Sequence, residues 1–134
     1  MALPYSGYNV PHKYPRVKAQ RHTGYALWPK GRLSGIHAAE VGGFNTIAFV
    51  PPEDKLYINA TSARAGSILI EVIGNDGQPV AGRSFADALT MRGDAHWRPV
   101  RWREHDRLGI APGDEVRLRL RLDHATLYGL EFHG

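Results

Sequence analysis

Glu115-Val-Arg-Leu-Arg-Leu-Arg-Leu-Asp123 is the stretch on which the fold turns. Val116, Leu118, Leu120 and Leu122 alternate strictly with Arg117, Arg119 and Arg121. Successive side chains of an extended chain point to opposite sides, so one face of this strand enters a core and the other meets water or a partner. That is the pattern of an antiparallel sheet with one covered face.

Upstream, Ser67 to Gly74 places Ile68, Ile70 and Val72 on one side and Leu69, Glu71 and Ile73 on the other, a strand covered on both faces. Asn75-Asp76-Gly77-Gln78 follows as a tight hairpin loop, with Gly77 in the positive φ such a turn demands. Six further short apolar runs read as strands: Tyr25 to Trp28, Leu33 to His37, Phe44 to Val50, Leu56 to Thr61, His96 to Trp102 and Thr126 to Phe132. Turn residues separate them, among them Gly42-Gly43, Pro51-Pro52, Arg92-Gly93-Asp94 and Pro112-Gly113-Asp114. Fifteen Gly and nine Pro in 134 residues leave no room for long helices. Only Phe85 to Met91 has the makings of one helical turn. The expected fold is all-β: a single antiparallel β-sandwich, jelly-roll-like, of about eight strands over residues 23–134. Residues 1–22, with Pro4, Pro11 and Pro15 and the tyrosines Tyr5, Tyr8 and Tyr14, form an extended N-terminal arm or linker.

The length fits one domain, and 43% hydrophobic residues suffice for a real core. With no Cys, disulfide frameworks, Cys-ligated zinc, iron–sulfur clusters and thiol nucleophiles are excluded. Seventeen Lys+Arg against thirteen Asp+Glu give a net charge of +4, but the Arg residues are scattered and form no phosphate-binding block, so a nucleic-acid partner is not expected. No stretch approaches the roughly 18 apolar residues of a membrane span, and the start MALPYSGYNVPHKYPR has no apolar signal core. Read as a full-length chain, the protein would be cytoplasmic, with no membrane partner.

Gly66 to Trp102, GSILIEVIGNDGQPVAGRSFADALTMRGDAHWRPVRW, followed by Ala111 to Phe132, APGDEVRLRLRLDHATLYGLEF, resembles the C-terminal β-sandwich module of glycoside hydrolase family 32-like proteins of the sucrase and fructosidase type. The resemblance lies in an ordered set: the turn Asp76-Gly77-Gln78-Pro79, the step Arg92-Gly93-Asp94, the strand Val100-Arg101-Trp102, and the closing hairpin from Gly113 through Phe132. Ser6 to Arg16 and Trp28 to Ile36 are similar to the segment that enters this module from a catalytic propeller. The resemblance implies an accessory sandwich that is not catalytic by itself, because the family's catalytic carboxylates lie on the propeller, which this chain lacks. Its implied partners are carbohydrate or a glycoside-hydrolase catalytic domain.

The residues carry their own reading beside it. Stacking on a pyranose needs flat aromatic faces flanked by planar polar groups. Trp97 and Tyr57 supply the first and Arg101 and Arg103 the second. Trp97 and Trp102 have opposite parity on a regular strand. With Val100 facing the core, Trp102 is buried and Trp97 shares the outer face with Arg101. The outward row Arg117, Arg119 and Arg121, together with Tyr5, Tyr8 and Tyr14, is the candidate interface, whether for a catalytic partner or for a second copy. Seven His lack HxH or HExxH spacing, and no EF-hand loop is present, so no cofactor is expected. Structural calcium at Asp76, Asp94 or Asp114 is the sole metal reading. Two readings from other classes stand beside the accessory module: a structural or oligomerisation domain without a ligand, and a small standalone sugar-active enzyme using turn carboxylates.

Overall fold

The computed structural model describes residues 1–10 and 20–134; Tyr14 lies outside the described residues. The strands are β1 (Ala2–Tyr8), β2 (Arg21–Leu27), β3 (Ile36–Asn45), β4 (Lys55–Ile73), β5 (Asp94–Pro99) and β6 (Arg117–His133), with no helix among the described residues. The chain forms two compact units, Met1–Leu33 and Ser34–Gly134.

In the first unit, β1 pairs antiparallel with β2. Tyr5 stands opposite Gly24, and a Cβ on that glycine would sit 2.8 Å from the Tyr5 ring, so the ring occupies the space a side chain would fill. Ala2–Tyr8, expected within an extended arm, is one side of a paired hairpin. The division between units falls at Leu33/Ser34 and not after residue 22, because backbone pairing joins Ala2–Tyr8 to Arg21–Leu27.

In the second unit a four-stranded antiparallel sheet runs in the order β3-β6-β4-β5. The Leu/Arg alternation of β6 is realised as read. Leu118, Leu120 and Leu122 are buried and pair with Val72, Ile70 and Ile68 of β4, which are buried too. At Asp123–Ala125 the parity inverts, and Ala125 and Leu127 become the buried positions. The inversion occurs at His124, which has φ 42°, and opposite it β4 shifts register between Ser62 and Ser67. A bulge of this kind bends both strands and rotates their side chains. Gly66 is required there, since a Cβ on it would lie 2.5 Å from the Asp123 carbonyl oxygen.

The corner divides each long strand into two arms. Leu56, Ile58 and Ala60 from one arm of β4 join Ile68, Ile70 and Val72 from the other in a single apolar cluster, closed by Val100, Trp102 and Leu108. Two layers made from the same bent strands enclose one core, which gives the all-β sandwich. The eight apolar stretches thus condense into fewer strands. Leu56–Thr61 and Ser67–Gly74 are continuous as β4, Val116–Asp123 and Thr126–Phe132 as β6, and Ile36–Asn45 spans parts of two more. Turn-forming residues at the corners read as strand ends, whereas the backbone pairing passes through them as bulges.

The connections follow local chemistry. Gly77 has φ 77°, Gly74 N–H donates to the Gln78 carbonyl, and the Asp76 carboxylate accepts the Gln78 N–H at 2.9 Å. Phe85–Met91 contributes a single turn, not a helix. Ala88 N–H donates to the Ser84 carbonyl, and the Asp87 carboxylate accepts both the Ser84 hydroxyl at 2.6 Å and the Ser84 N–H at 3.2 Å.

Candidate functional site

The face of the sheet turned away from the core on β5, β4 and the second arm of β6 gathers the aromatic residues. On β4, Leu56, Ile58 and Ala60 point inward, so Tyr57, Asn59 and Thr61 point outward. β5 pairs Pro99 with Tyr57 and Arg98 with Ile58, then shifts register before Ala95 meets Ala60. His96 and Trp97 therefore both stand opposite Asn59, and Trp97 takes up the bulge with φ 52°. A left-handed backbone on a residue bearing a Cβ costs about 1–2 kcal/mol. The rest of the fold must hold Trp97 there.

The strained backbone lays the indole across the sheet. Gly129 on β6 pairs with Asn59, and a Cβ on Gly129 would sit 3.2 Å from Cη2 of Trp97. Asn59, between them in the register, is fully buried. The indole is half-buried, so one part of the ring rests on Gly129 and the remainder stays accessible.

Tyr57 lies on the same face, about 7 Å along the strand from Trp97 and about 5 Å across by standard strand geometry. Its ring packs edge-on against His133, with centroids 4.6 Å apart, and His133 Nε2 lies 3.4 Å from Glu131 Oε2. Farther along, Thr61 Oγ1 and the Tyr128 hydroxyl are 3.3 Å apart, and His37 Nδ1 meets Thr126 Oγ1 at 2.8 Å. Two aromatic rings are thus bordered by hydroxyl, imidazole and carboxylate groups. Such a surface can stack against C–H faces and exchange hydrogen bonds with hydroxyls.

The four residues read as a sugar site are only partly assembled. Trp97 and Tyr57 share the face. Arg101 follows β5 and borders an adjoining groove of about 260 Å³ with Leu89, Thr90, Met91, Arg98 and Pro99. Arg103 belongs to another neighbourhood, its N–H donating to the Asp87 carbonyl at 3.0 Å. Between them Trp102 is buried, as its parity with Val100 indicated, and its Nε1–H donates to the Ile70 carbonyl at 3.0 Å.

The interface residues are differently occupied. Arg119 Nη1 donates to Glu71 Oε1 at 2.9 Å, and Glu71, almost wholly buried, also accepts the Phe85 N–H through Oε2 at 3.0 Å. The Arg121 guanidinium lies 4.8 Å from the Phe85 ring centroid. Arg117 is exposed. Tyr5 and Tyr8 are exposed on the hairpin of the first unit. Among the described residues no three His, Asp or Glu side chains converge as a metal site. Asp76 is engaged in its own turn through Gln78.

Sequence reading missed Gly129, His133 and the His37–Thr126 pair. Gly129 did leave a signal: a glycine inside an aromatic-rich strand marks a close approach by another group. The pairing that brings His37 to Thr126 spans most of the chain and left none. No family model, curated protein or solved structure matches this chain.

Proposed function

We propose that this chain is a non-catalytic accessory β-sandwich of a glycoside-hydrolase-like system, and that it binds carbohydrate on the face carrying Trp97 and Tyr57. The observation that carries the reading is Trp97, held at φ 52° with its indole laid over Gly129 beside a second outward aromatic ring. Strained backbone persists where surrounding structure over-determines it, and it gathers at ligand-binding positions. The resemblance to the family 32 accessory module agrees with this assignment.

The test is a glycan panel at physiological salt, which suppresses weak charge-driven binding, read by intrinsic fluorescence. Of the three tryptophans Trp102 is buried and Trp28 belongs to the first unit, so the loss of the signal in Trp97→Ala is what assigns it to the proposed face. A saturable shift with one sugar class, absent in Trp97→Ala, supports the reading. A blank panel overturns it.

A second reading, docking on a catalytic domain or on another copy, is favoured by the hairpin. Leu3 and Tyr5 lie exposed on one side of it, and Tyr8, Tyr25 and Leu27 on the other. A two-stranded sheet is marginal alone, so apolar residues on both faces favour a covering partner. Light scattering of the chain and of a Tyr8→Ser, Tyr25→Ser, Leu27→Ser variant tests it. Concentration-dependent association lost in the variant supports docking, and a monomer at every concentration removes the self-association form.

A further inference from the structure

A cavity of the second unit is lined by none of the aromatic residues of the face that carries Trp97 and Tyr57. Two loops, one leading from β3 to β4 and the other leading into β6, are fastened together at two points. At one, Phe49 and Val116 exchange backbone hydrogen bonds of 3.0 and 2.9 Å. At the other, Arg107 Nη1 donates to both carboxylate oxygens of Asp54, at 2.6 and 2.8 Å, and Leu108 N–H donates to the Asp54 carbonyl at 2.8 Å. Between the clasps a cleft of about 620 Å³ stays open, within the range of small-ligand sites.

Its composition restricts what it can hold. Val50, Pro51 and Pro52 line it from one loop and Ile110, Ala111 and Pro112 from the other. Proline fixes its own φ, so this lining is pre-shaped. Among the described residues no aromatic ring lines the cleft, and a pyranose finds no π face there to stack on. The lining suits an aliphatic chain. The polar end holds Glu53, Asp54 and Arg107, with Gly134 beside Glu53, where a Cβ on the glycine would lie 3.0 Å from Glu53 Oε2. Arg107 and Asp54 neutralise one another, and the Asp54 carboxylate holds the Arg107 guanidinium above its ordinary pKa. Among the described lining side chains Glu53 is left as the unbalanced charge, −1 at one end of an apolar slot in a chain whose net charge is +4.

We propose that this cleft binds a lysine side chain presented by a partner polypeptide. Its methylene stem lies between Pro51–Pro52 and Ile110–Pro112, and its ammonium rests on the Glu53 carboxylate. Lysine buries its stem along apolar surface while keeping its charge at a polar edge, which is the arrangement the cleft offers. The cleft shares no lining residue with the face of Trp97 and Tyr57, so the inference stands whether or not that face binds sugar.

The probe is Nα-acetyl-lysine methylamide, titrated into the isotope-labelled chain at about 0.15 M salt and followed by amide chemical shifts, beside Nα-acetyl-norleucine methylamide and a neutral disaccharide. The lysine derivative is expected to shift Val50, Glu53, Ile110, Ala111 and Gly113 saturably in the millimolar range. The norleucine derivative, and the lysine derivative on Glu53→Gln, should bind at least threefold more weakly, with the remaining spectrum of the variant unchanged. Three results each overturn the proposal: no saturable shift at these residues, equal binding of the uncharged derivative, or undiminished binding to Glu53→Gln. Tighter occupation of the cleft by the disaccharide also overturns it.

Discussion

The indole of Trp97 rests on Gly129, two strands away, at a distance that leaves a Cβ there only 3.2 Å from the ring. Gly129→Val should therefore displace the indole from the face. We expect sugar-induced fluorescence changes to disappear in this variant while the urea transition stays cooperative. Retained binding would show that the seat on Gly129 is dispensable.

The backbone at Trp97 gives an independent check. In an ordinary strand glycine is worse than alanine by roughly 0.5–1 kcal/mol. At φ 52° the order reverses, because alanine retains the left-handed penalty and glycine does not. Trp97→Gly should be more stable than Trp97→Ala by about 1 kcal/mol. Denaturant midpoints of the two variants decide it, and the usual order would refute the bulge.

Glu71 ties three elements together, accepting from Arg119 on β6 and from the Phe85 N–H in the turn that follows β4. Glu71→Ala leaves that N–H without its acceptor and should cost about 2 kcal/mol. Glu71→Gln keeps the shape and an acceptor oxygen and should cost about half as much. Calorimetry on both variants checks the order.

The three arginines of β6 look equivalent in sequence and should differ in effect. Arg117→Ala is expected to change stability by less than about 0.5 kcal/mol. Arg121→Ala loses its contact with Phe85, worth about 0.5–1 kcal/mol. Arg119→Ala should cost most, because it strips a charge partner from buried Glu71, although its own half-exposure to solvent limits the loss to about 1 kcal/mol. Chemical denaturation of the three variants ranks them.

Asp87 is held below the ordinary aspartate pKa, first by the Ser84 hydroxyl and then by the Ser84 N–H and the nearby Arg103 and His105 charges, against a smaller desolvation penalty. A lowered folded-state pKa means its contribution is fully present above the unfolded value of about 3.9 and is lost as pH falls through the folded value. Asp87→Asn should therefore shallow the decline of stability below about pH 4 and leave its pH dependence near neutrality unaltered. Identical acid limbs for the variant and the parent chain would count against the Ser84–Asp87 contact.

The amino-acid sequence by itself determined what depends on neighbours along the chain. The Leu/Arg alternation of Arg117–Asp123 specified a strand with one buried face, and the Gly77 turn and the opposite fates of Trp97 and Trp102 were legible because side-chain parity and turn chemistry are local. Tertiary structure alone decided what depends on register between distant segments. It made β4 and β6 continuous through a corner at His124, separated Arg103 from Trp97, tied Arg119 to Glu71, and brought Pro51 and Pro112 to the lining of one cleft. A bulge changes which residues face each other across a sheet without altering the composition that marks a strand. The faces on which binding depends therefore follow from pairing, while the strands follow from pattern.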